Sequence, residues 1–396
     1  MISVEEAIAR IVSAAGPVES EIVALADAHR RVLARDVIAR RDQPPAPVSA
    51  MDGYAVRLAD ADRAPATLRV IGTAPAGHPF AGTVGEGEAV RIFTGGVLPD
   101  GADAILLQED ADADGDRVML RAPATSRHIR RAGLDFRARD VLVAAGRRLT
   151  ARDLALVAAG DVASVEVRRK PVIAFAATGD ELARPGEPQR AGGIVASTGY
   201  GLAALIEAWG GSPHDLGILP DTLEALQRIP GVTARADVVV TMGGASVGDH
   251  DLVRQALMPK GFALDFWKIA MRPGKPLIFG RLNDKPFLGL PGNPVSGYVC
   301  ALLFLQPLVA ALLGKPFEQP IESARLARAL PANEARQDYL RARLLRRNNE
   351  LWAEPFALQD SSVQSALARA DALIVRPPHA PASAEGDRVS VISLAE

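Results

Sequence analysis

The sequence predicts a multidomain chain of the α/β plus β class, on three observations. Its 396 residues, at roughly 150 per domain, suffice for two or three separate cores. Between residues 171 and 300, near-continuous apolar runs end in polar loops and alternate with helical patterns, as strands buried on both faces of a parallel sheet do. From residue 317 onward, short alternating runs are separated by turn residues, as in a small all-β domain.

Taken in order, residues 1–40 predict two helices. Val4, Ala7, Ile8 and Ile11 recur at helical spacing, and a second pattern runs through Ala24, Ala28 and Val32. The prolines at 44, 45 and 47 and the Asp52-Gly53 pair then make the backbone extended and turning. Residues 51–125 alternate around LRVIG, AVRIF and RVMLR, which predicts a β-rich insertion ahead of a further helix near 150–160. The apolar runs PVIAFAATGDEL and ADVVVTMGGASVGDHD predict two strand-and-loop units flanking the helix STGYGLAALIEAWGG. KPFLGLPGNPVSGYVCALLF predicts a third unit, with Asn293 as N-cap, Pro294 at the first helical position and Gly314 at the end. The domain reading is 1–168, with a β-rich subdomain inserted at about 45–135, then 169–316 and 317–396.

Composition excludes several classes of function. Forty-five basic against 47 acidic side chains give a net charge of −2, so there is no global positive field for nucleic acid or an anionic membrane. Any anion site must be local. Cys300 is the only cysteine, which rules out an intrachain disulfide and a Cys-rich metal site and points to the cytoplasm. The acidic N-terminus MISVEEAIAR is unlike a secretory signal, and the apolar stretch Tyr298–Leu313, interrupted by Gln306-Pro307, reads as a buried helix.

In an open parallel sheet ligands sit beyond the carboxyl ends of the strands, so the loops TGDEL, GGASVGDHD and LPGNPVS should converge on one crevice. TMGGASVG can turn its N–H groups outward as an anion nest, or it can be a tight turn alone. Asp221 and Glu224 fit a capping box, and Asp249 and Asp251 can likewise cap the next helix. A metal reading instead brings Asp221 and Asp251 to one point as hard oxygen ligands of Mg²⁺. The chain has only six lysines, and four of them, Lys260, Lys268, Lys275 and Lys285, lie between 260 and 285. In KIAMRPGKPLIFG, Lys268, Arg272 and Lys275 suggest an anion, or with Lys260 and Lys285 nearby a solvated basic loop. Arg127, Arg130, Arg131, Arg137 and Arg139 surround Asp135, as a phosphate clamp or a solvated face would. Asp52-Gly53 fits a turn, and Thr94-Gly95-Gly96 a strand end.

Six segments in this order, MDGYAV, RIFTGGVLPDGADAI, ATGDEL, MGGASVGDHD, MRPGKP and GLPGNPVS, resemble the molybdopterin molybdenumtransferase family, called MoeA in bacteria and matching the C-terminal part of gephyrin. The resemblance covers nearly the whole chain and is weaker over 317–396. It implies an elongated homodimer with a helical segment, an inserted β-rich subdomain, a central three-layer α/β pterin-binding domain and a C-terminal β-barrel. It also implies the reaction: adenylated molybdopterin and molybdate give molybdenum cofactor and AMP, assisted by Mg²⁺ on Asp221 and Asp251.

By motif matching, Arg272, Lys275, Ser296, Arg341 and Ser365 would hold molybdate, Lys268 a phosphate or nucleotide, and Pro291 and Pro294 would shape the pterin loop. Asp52 and Glu181 would orient water or substrate, Thr94 would hydrogen-bond it, and Asp135 would organise the arginine loop that carries Arg130. The implied partners are a molybdopterin adenylyltransferase as substrate donor and molybdoenzymes or their chaperones as recipients. Arg272 stands where several relatives have Lys, Leu134 where Glu is common and Ala132 where Arg is common. A molybdopterin adenylyltransferase shares the central domain but lacks this N-terminal half, and a gephyrin-like scaffold would not need every acidic candidate.

Overall fold

The computed structural model describes residues 1–244 and 252–394, which form two compact units. One comprises 1–21, 30–34 and 168–396, the other 22–29 and 35–167.

The larger unit is built on a six-stranded sheet. Its order is Ser212–Leu219, Val172–Thr178, Val238–Met242, Lys285–Leu290, Pro276–Leu282 and Phe262–Lys268. The first four strands are parallel and the last two antiparallel, with registers such as Ile173 opposite Val238 and Val240 opposite Leu288. The apolar runs read as buried strands are therefore the middle of this sheet. The helix Val4–Ser13 adds Val4, Ala7 and Ile11 to the same apolar core, capped by Ser3, whose hydroxyl accepts from Glu6 N.

The second predicted helix does not form. Residues Ser20–Ala24 are a strand, a short 3₁₀ turn follows at Leu25–Asp27, and Leu25 N donates to the Ala163 carbonyl. Three apolar residues at helical spacing were too few to specify a helix against pairing with the strand Ser164–Arg168. Among the described residues, Pro294–Leu312 is long and apolar enough to cross a membrane by length and composition, and it is 83% buried inside the protein. Pro307 does not break it. A π-helical turn over Ala301–Leu305 widens the ladder just ahead of the proline, where its ring and missing N–H would otherwise conflict with an α-helix.

Following this helix, a closed β-barrel runs through Gln337–Arg347, Glu350–Pro355, Ile321–Leu326, Arg388–Ser393 and Ala372–Arg376, and back to the first strand. The short strand Met271–Arg272 pairs in parallel with Gln337–Arg347 and so joins the barrel to the central domain. Tyr339, Leu373 and Ile392 share one core with Leu305 and Leu308.

The smaller unit contains a second six-stranded sheet, ordered Ala104–Leu107, Gly53–Val56, Glu88–Ile92, Thr67–Ala74, Arg117–Leu120 and Ala111–Asp114. It also has the predicted helix at Ala151–Ala159, whose Thr150 and Asp153 complete a capping box.

One polar cluster fixes where the central sheet starts. Asp237 accepts two bonds from Arg169 at 2.7 Å each and a third from Val172 N at 2.7 Å, tying together the feet of neighbouring strands. Burial pushes its carboxyl pKa up, but the fork and the N–H outweigh this and leave it below the usual range. A depressed carboxylate contributes stability above its unfolded pKa and loses it as pH falls through its folded pKa. Asp237→Ala should therefore lower stability by about 3 kcal/mol near neutral pH. Asp237→Asn should cost less and flatten the acid limb of the stability curve, both read by thermal melts across pH.

Candidate functional site

The parallel strands ending at Thr178, Met242 and Leu290 finish at one edge of the sheet. Gly243 N donates to the Leu290 carbonyl at 3.0 Å, and a Cβ on Gly243 would lie 2.5 Å from the Thr178 carbonyl oxygen. Gly243 and the next residue, Gly244, both have positive φ, 101° and 66°. The hydroxyls of Thr178 and Thr241 are buried here without a hydrogen-bond partner among the described residues. Residues 245–251 lie outside the described residues, and with them Asp249, Asp251 and the rest of the expected anion nest.

On the same edge three acids come together. Asp180 Oδ1 accepts from Asp221 N at 3.2 Å. Burial, and then the charges of Glu181 and Asp180, raise the Asp221 carboxyl above the usual range. Asp180, Glu181, Glu187 and Arg190 line a cavity of about 250 Å³ beside Ile218 and Pro220. The expected capping box at Asp221 and Glu224 is not formed. Thr222 is the N-cap, its hydroxyl accepting from Ala225 N, while Glu224 pairs with Arg228. The extended backbone at Thr222 starts the helix one residue later than read, which leaves the Asp221 carboxylate outside the cap.

Asp180 is the acid the sequence reading passed over, although it stands in the same TGDEL loop. These carboxylates suit a hard divalent cation in donor type, and the raised Asp221 carboxyl is short of positive charge. Among the described residues no three His, Cys, Asp or Glu side chains are grouped closely enough to hold a metal by themselves.

A third group surrounds the start of the helix at Pro294, where Pro291 and Ser296 are buried. Pro294 takes the first helical position as predicted, but the Asn293 side chain does not cap the helix. Its Nδ2 donates to Ser361 Oγ at 2.9 Å, while Val295 N donates to the Ser361 carbonyl. The same barrel loop holds Arg341, which is 1% exposed. Gln359 bonds both backbone groups of Arg341, and Arg341 Nη2 donates to the Asp360 carbonyl at 2.9 Å. Among the described residues Arg341 Nε has no partner, and burial pushes the guanidinium pKa down against the smaller opposing effect of the Asp360 charge. Ser365, just beyond this loop, is exposed.

The basic loop is more divided than its composition suggests. Lys285 is structural, donating to the carbonyls of Thr233 and Ala234. Lys268 lies 3.9 Å from the ring centre of Trp267. Arg272 is forked onto Asp338, and Lys275 is half-buried, its carbonyl accepting from Ile269 N at 3.1 Å.

Within the smaller unit, Asp52 Oδ1 accepts from both the backbone N and the hydroxyl of Thr94 at 2.8 Å. The backbone bond, then the hydroxyl, hold its carboxyl below the usual range despite partial burial, with a smaller contribution from Arg91. Arg91 donates to the Gly53 carbonyl and to Gln108, its guanidinium over the rings of Tyr54 and Phe93. Gly53 begins a strand, not merely a turn, and a Cβ there would meet the Leu106 carbonyl oxygen at 2.0 Å. Arg130 pairs opposite Val48 and is exposed, as are Asp135 and the other four arginines of that stretch. The backbone of that stretch is held by Asp140, which accepts from Arg137 N, and by Asp42, which accepts from Ala138 N.

Three family models match the chain: "MoeA N-terminal region (domain I and II)" over residues 2–160, "Probable molybdopterin binding domain" over 174–311, and "MoeA C-terminal region (domain IV)" over 323–394. Among curated proteins, a molybdopterin molybdenumtransferase of Haemophilus influenzae is 35% identical over 91% of this chain and 90% of its own. One from Bacillus subtilis is 33% identical over 100% and 94%. A crystal structure of the molybdopterin biosynthesis MoeA protein from Pyrococcus horikoshii superposes with a TM-score of 0.88 at 30% identity, covering 100% of each chain.

The Asp52 and Thr94 geometry is testable without turnover. Thr94→Val removes one of two donors to the carboxylate, so the Asp52 pKa, followed by carboxyl NMR, should rise toward its ordinary value without reaching it. An unchanged pKa would mean that the side-chain bond is not formed in solution.

Proposed function

The chain belongs to the MoeA family, and on that premise we propose that it is a molybdopterin molybdenumtransferase, which inserts molybdate into adenylated molybdopterin with release of AMP in molybdenum cofactor biosynthesis. The observation that carries this reading is Arg341: a buried guanidinium with an unpartnered Nε and, among the described residues, no ion pair but only the charge of Asp360 acting on it without outweighing burial, tied through one loop to the start of the Pro294 helix. Burying such a charge is costly unless an anion joins it. A tetrahedral dianion such as molybdate suits that need, with Ser296, Lys275 and Ser365 as further donors and Arg272 in the loop that carries Lys275.

The pterin lies against Pro291 and Pro294, and Lys268 takes a phosphate of the nucleotide. Asp52 and Glu181 orient water or substrate, assisted by Thr94, and Asp135 organises the stretch that carries Arg130. Asp221 and Asp251 would hold Mg²⁺, which supplies charge neutralisation at the phosphoanhydride. The depressed pKa of Asp52 keeps it an acceptor across physiological pH, while Asp221 protonates more readily. We place the enzyme in the cytoplasm as a homodimer. It receives its adenylated substrate from a molybdopterin adenylyltransferase and passes its product to molybdoenzymes or their chaperones.

The deciding experiment mixes purified protein with adenylated molybdopterin, molybdate and Mg²⁺ and follows AMP. Release that depends on molybdate is expected, and Arg341→Ala should lower kcat/KM for molybdate at least about 100-fold, the cost of losing a charged donor set of roughly 3 kcal/mol. Adenylation of pterin with ATP, without AMP release from the adenylated form, would overturn the reading.

Chelation supplies a second test. EDTA should abolish AMP release and added Mg²⁺ restore it, while Asp221→Asn should raise the Mg²⁺ concentration needed for half-maximal rate about tenfold or more.

A further inference from the structure

Arg272 is not a bare cation. Its Nε donates to Asp338 Oδ1 at 2.9 Å and its Nη2 to Oδ2, so two of its donors are spent on one carboxylate. The Asp338 side chain is 5% exposed while that of Arg272 is 48% exposed. Asp338 and Arg341 stand three residues apart on one barrel strand, so their side chains leave opposite faces of the sheet. The fork therefore draws the Arg272 guanidinium to the face away from Arg341.

The fork also anchors a loop. Met271 and Arg272 pair with Gln337 and Asp338, and Gln337 N donates to the Ala270 carbonyl at 2.9 Å. Ile269 N closes the segment onto the Lys275 carbonyl. Its other side rests on the Pro294 helix, where the Cys300 thiol donates to the Gly274 carbonyl at 3.8 Å. Gly274 has φ +107°, and a Cβ there would lie 2.5 Å from Cys300 Sγ. Lys275 is thus carried by a short loop held on two sides, by the Pro294 helix and by the barrel strand, where the Asp338 fork adds to the backbone pairing.

We propose that Asp338 is a positioning residue for the oxyanion pocket: by gripping Arg272 it latches residues 269–275 to the barrel and sets Lys275, and Arg272 serves as that latch rather than as a charge on the anion. This rests on the function proposed above and refines which groups meet the tetrahedral oxyanion.

The two roles open to Arg272 predict opposite signs. If it latches, Asp338→Asn, which offers one acceptor oxygen and no charge, should raise the molybdate KM about tenfold and leave kcat within about twofold. Arg272→Lys, which keeps the charge but cannot fork, should do the same. The double variant should be no worse than either single, since both break one interaction. Calorimetric titration of the full chain with molybdate should show the same losses in affinity.

If instead Arg272 acted as a cation on the anion, removing the Asp338 charge would tighten molybdate binding and Arg272→Lys would resemble the parent. Either result overturns the latch. Melting curves establish that each variant is folded, and Arg272→Lys decides alone if Asp338→Asn is not. A parent protein that neither binds molybdate nor releases AMP would defeat the proposed function and the latch together. A parent that does both while the variants show the second pattern would defeat the latch alone.

Discussion

The constraint on which the larger unit's candidate site depends is the contact between Gly243 and Thr178. Three parallel strands end at one edge, and their loops can meet there only if one backbone approaches another without a side chain between them. Gly243 satisfies this, and Gly292 makes a milder approach, where a Cβ would stand 3.4 Å from the Gly243 Cα. From that junction the acidic loop extends to one side and the Pro294 helix to the other. The sheet below is held in register at its opposite end by the Asp237 and Arg169 cluster, so one end of the strands is polar and fixed while the other is open for chemistry.

Four arginines of the larger unit do three kinds of work, and their partners separate them. Arg169 is charge-compensated by Asp237 and Glu19, and Arg272 by Asp338. Arg376 is buried and donates to the carbonyls of Pro331 and Pro381 and to Ser383 Oγ, closing one end of the barrel. Arg341 alone among these is buried with a donor left over. A guanidinium has five donors in a fixed fork, so it can satisfy a carboxylate and still present an edge, which an ammonium cannot do with the same geometry. Composition shows many arginines, and only the fold separates those whose donors are spent from one with a donor to spare.

Much of the architecture was legible because long patterns carry it. The central strands, the helices at Val4–Ser13, Ala151–Ala159 and Thr198–Trp209, and the β-rich insertion follow from period and turn chemistry. Shorter signals failed. Three apolar residues between 24 and 32 imitated a helix, and Asp221 with Glu224 imitated a cap that Thr222 in fact makes. Pro307 read as an interruption because a π turn upstream leaves no plain mark in sequence. The partners of Arg341 and Arg272 were illegible for another reason. Asp360 lies 19 residues from Arg341 and Asp338 lies 66 from Arg272, and no local pattern encodes contacts made by barrel closure.

The motifs were nonetheless recognisable because their residues answer to fold and site at once. In MDGYAV, Gly53 must be glycine for its strand to pass the Leu106 carbonyl, which places the preceding Asp52 at the strand's entrance against Thr94. In MRPGKP, Gly274 must be glycine to rest on Cys300, which places Lys275 at the loop's end. In GLPGNPVS, Gly292 lies beside Gly243, and Pro294 and Ser296 follow at the start of a buried helix. Gly53 is required by a backbone contact and Gly274 by its positive φ and the Cys300 thiol, and each of the three glycines stands within a few residues of a polar group carried to a strand or loop end. At Gly53 and Gly274 a side chain would disturb the fold, and Asp52 and Lys275 stand directly beside them, so backbone geometry and a polar side chain are specified within the same short segment.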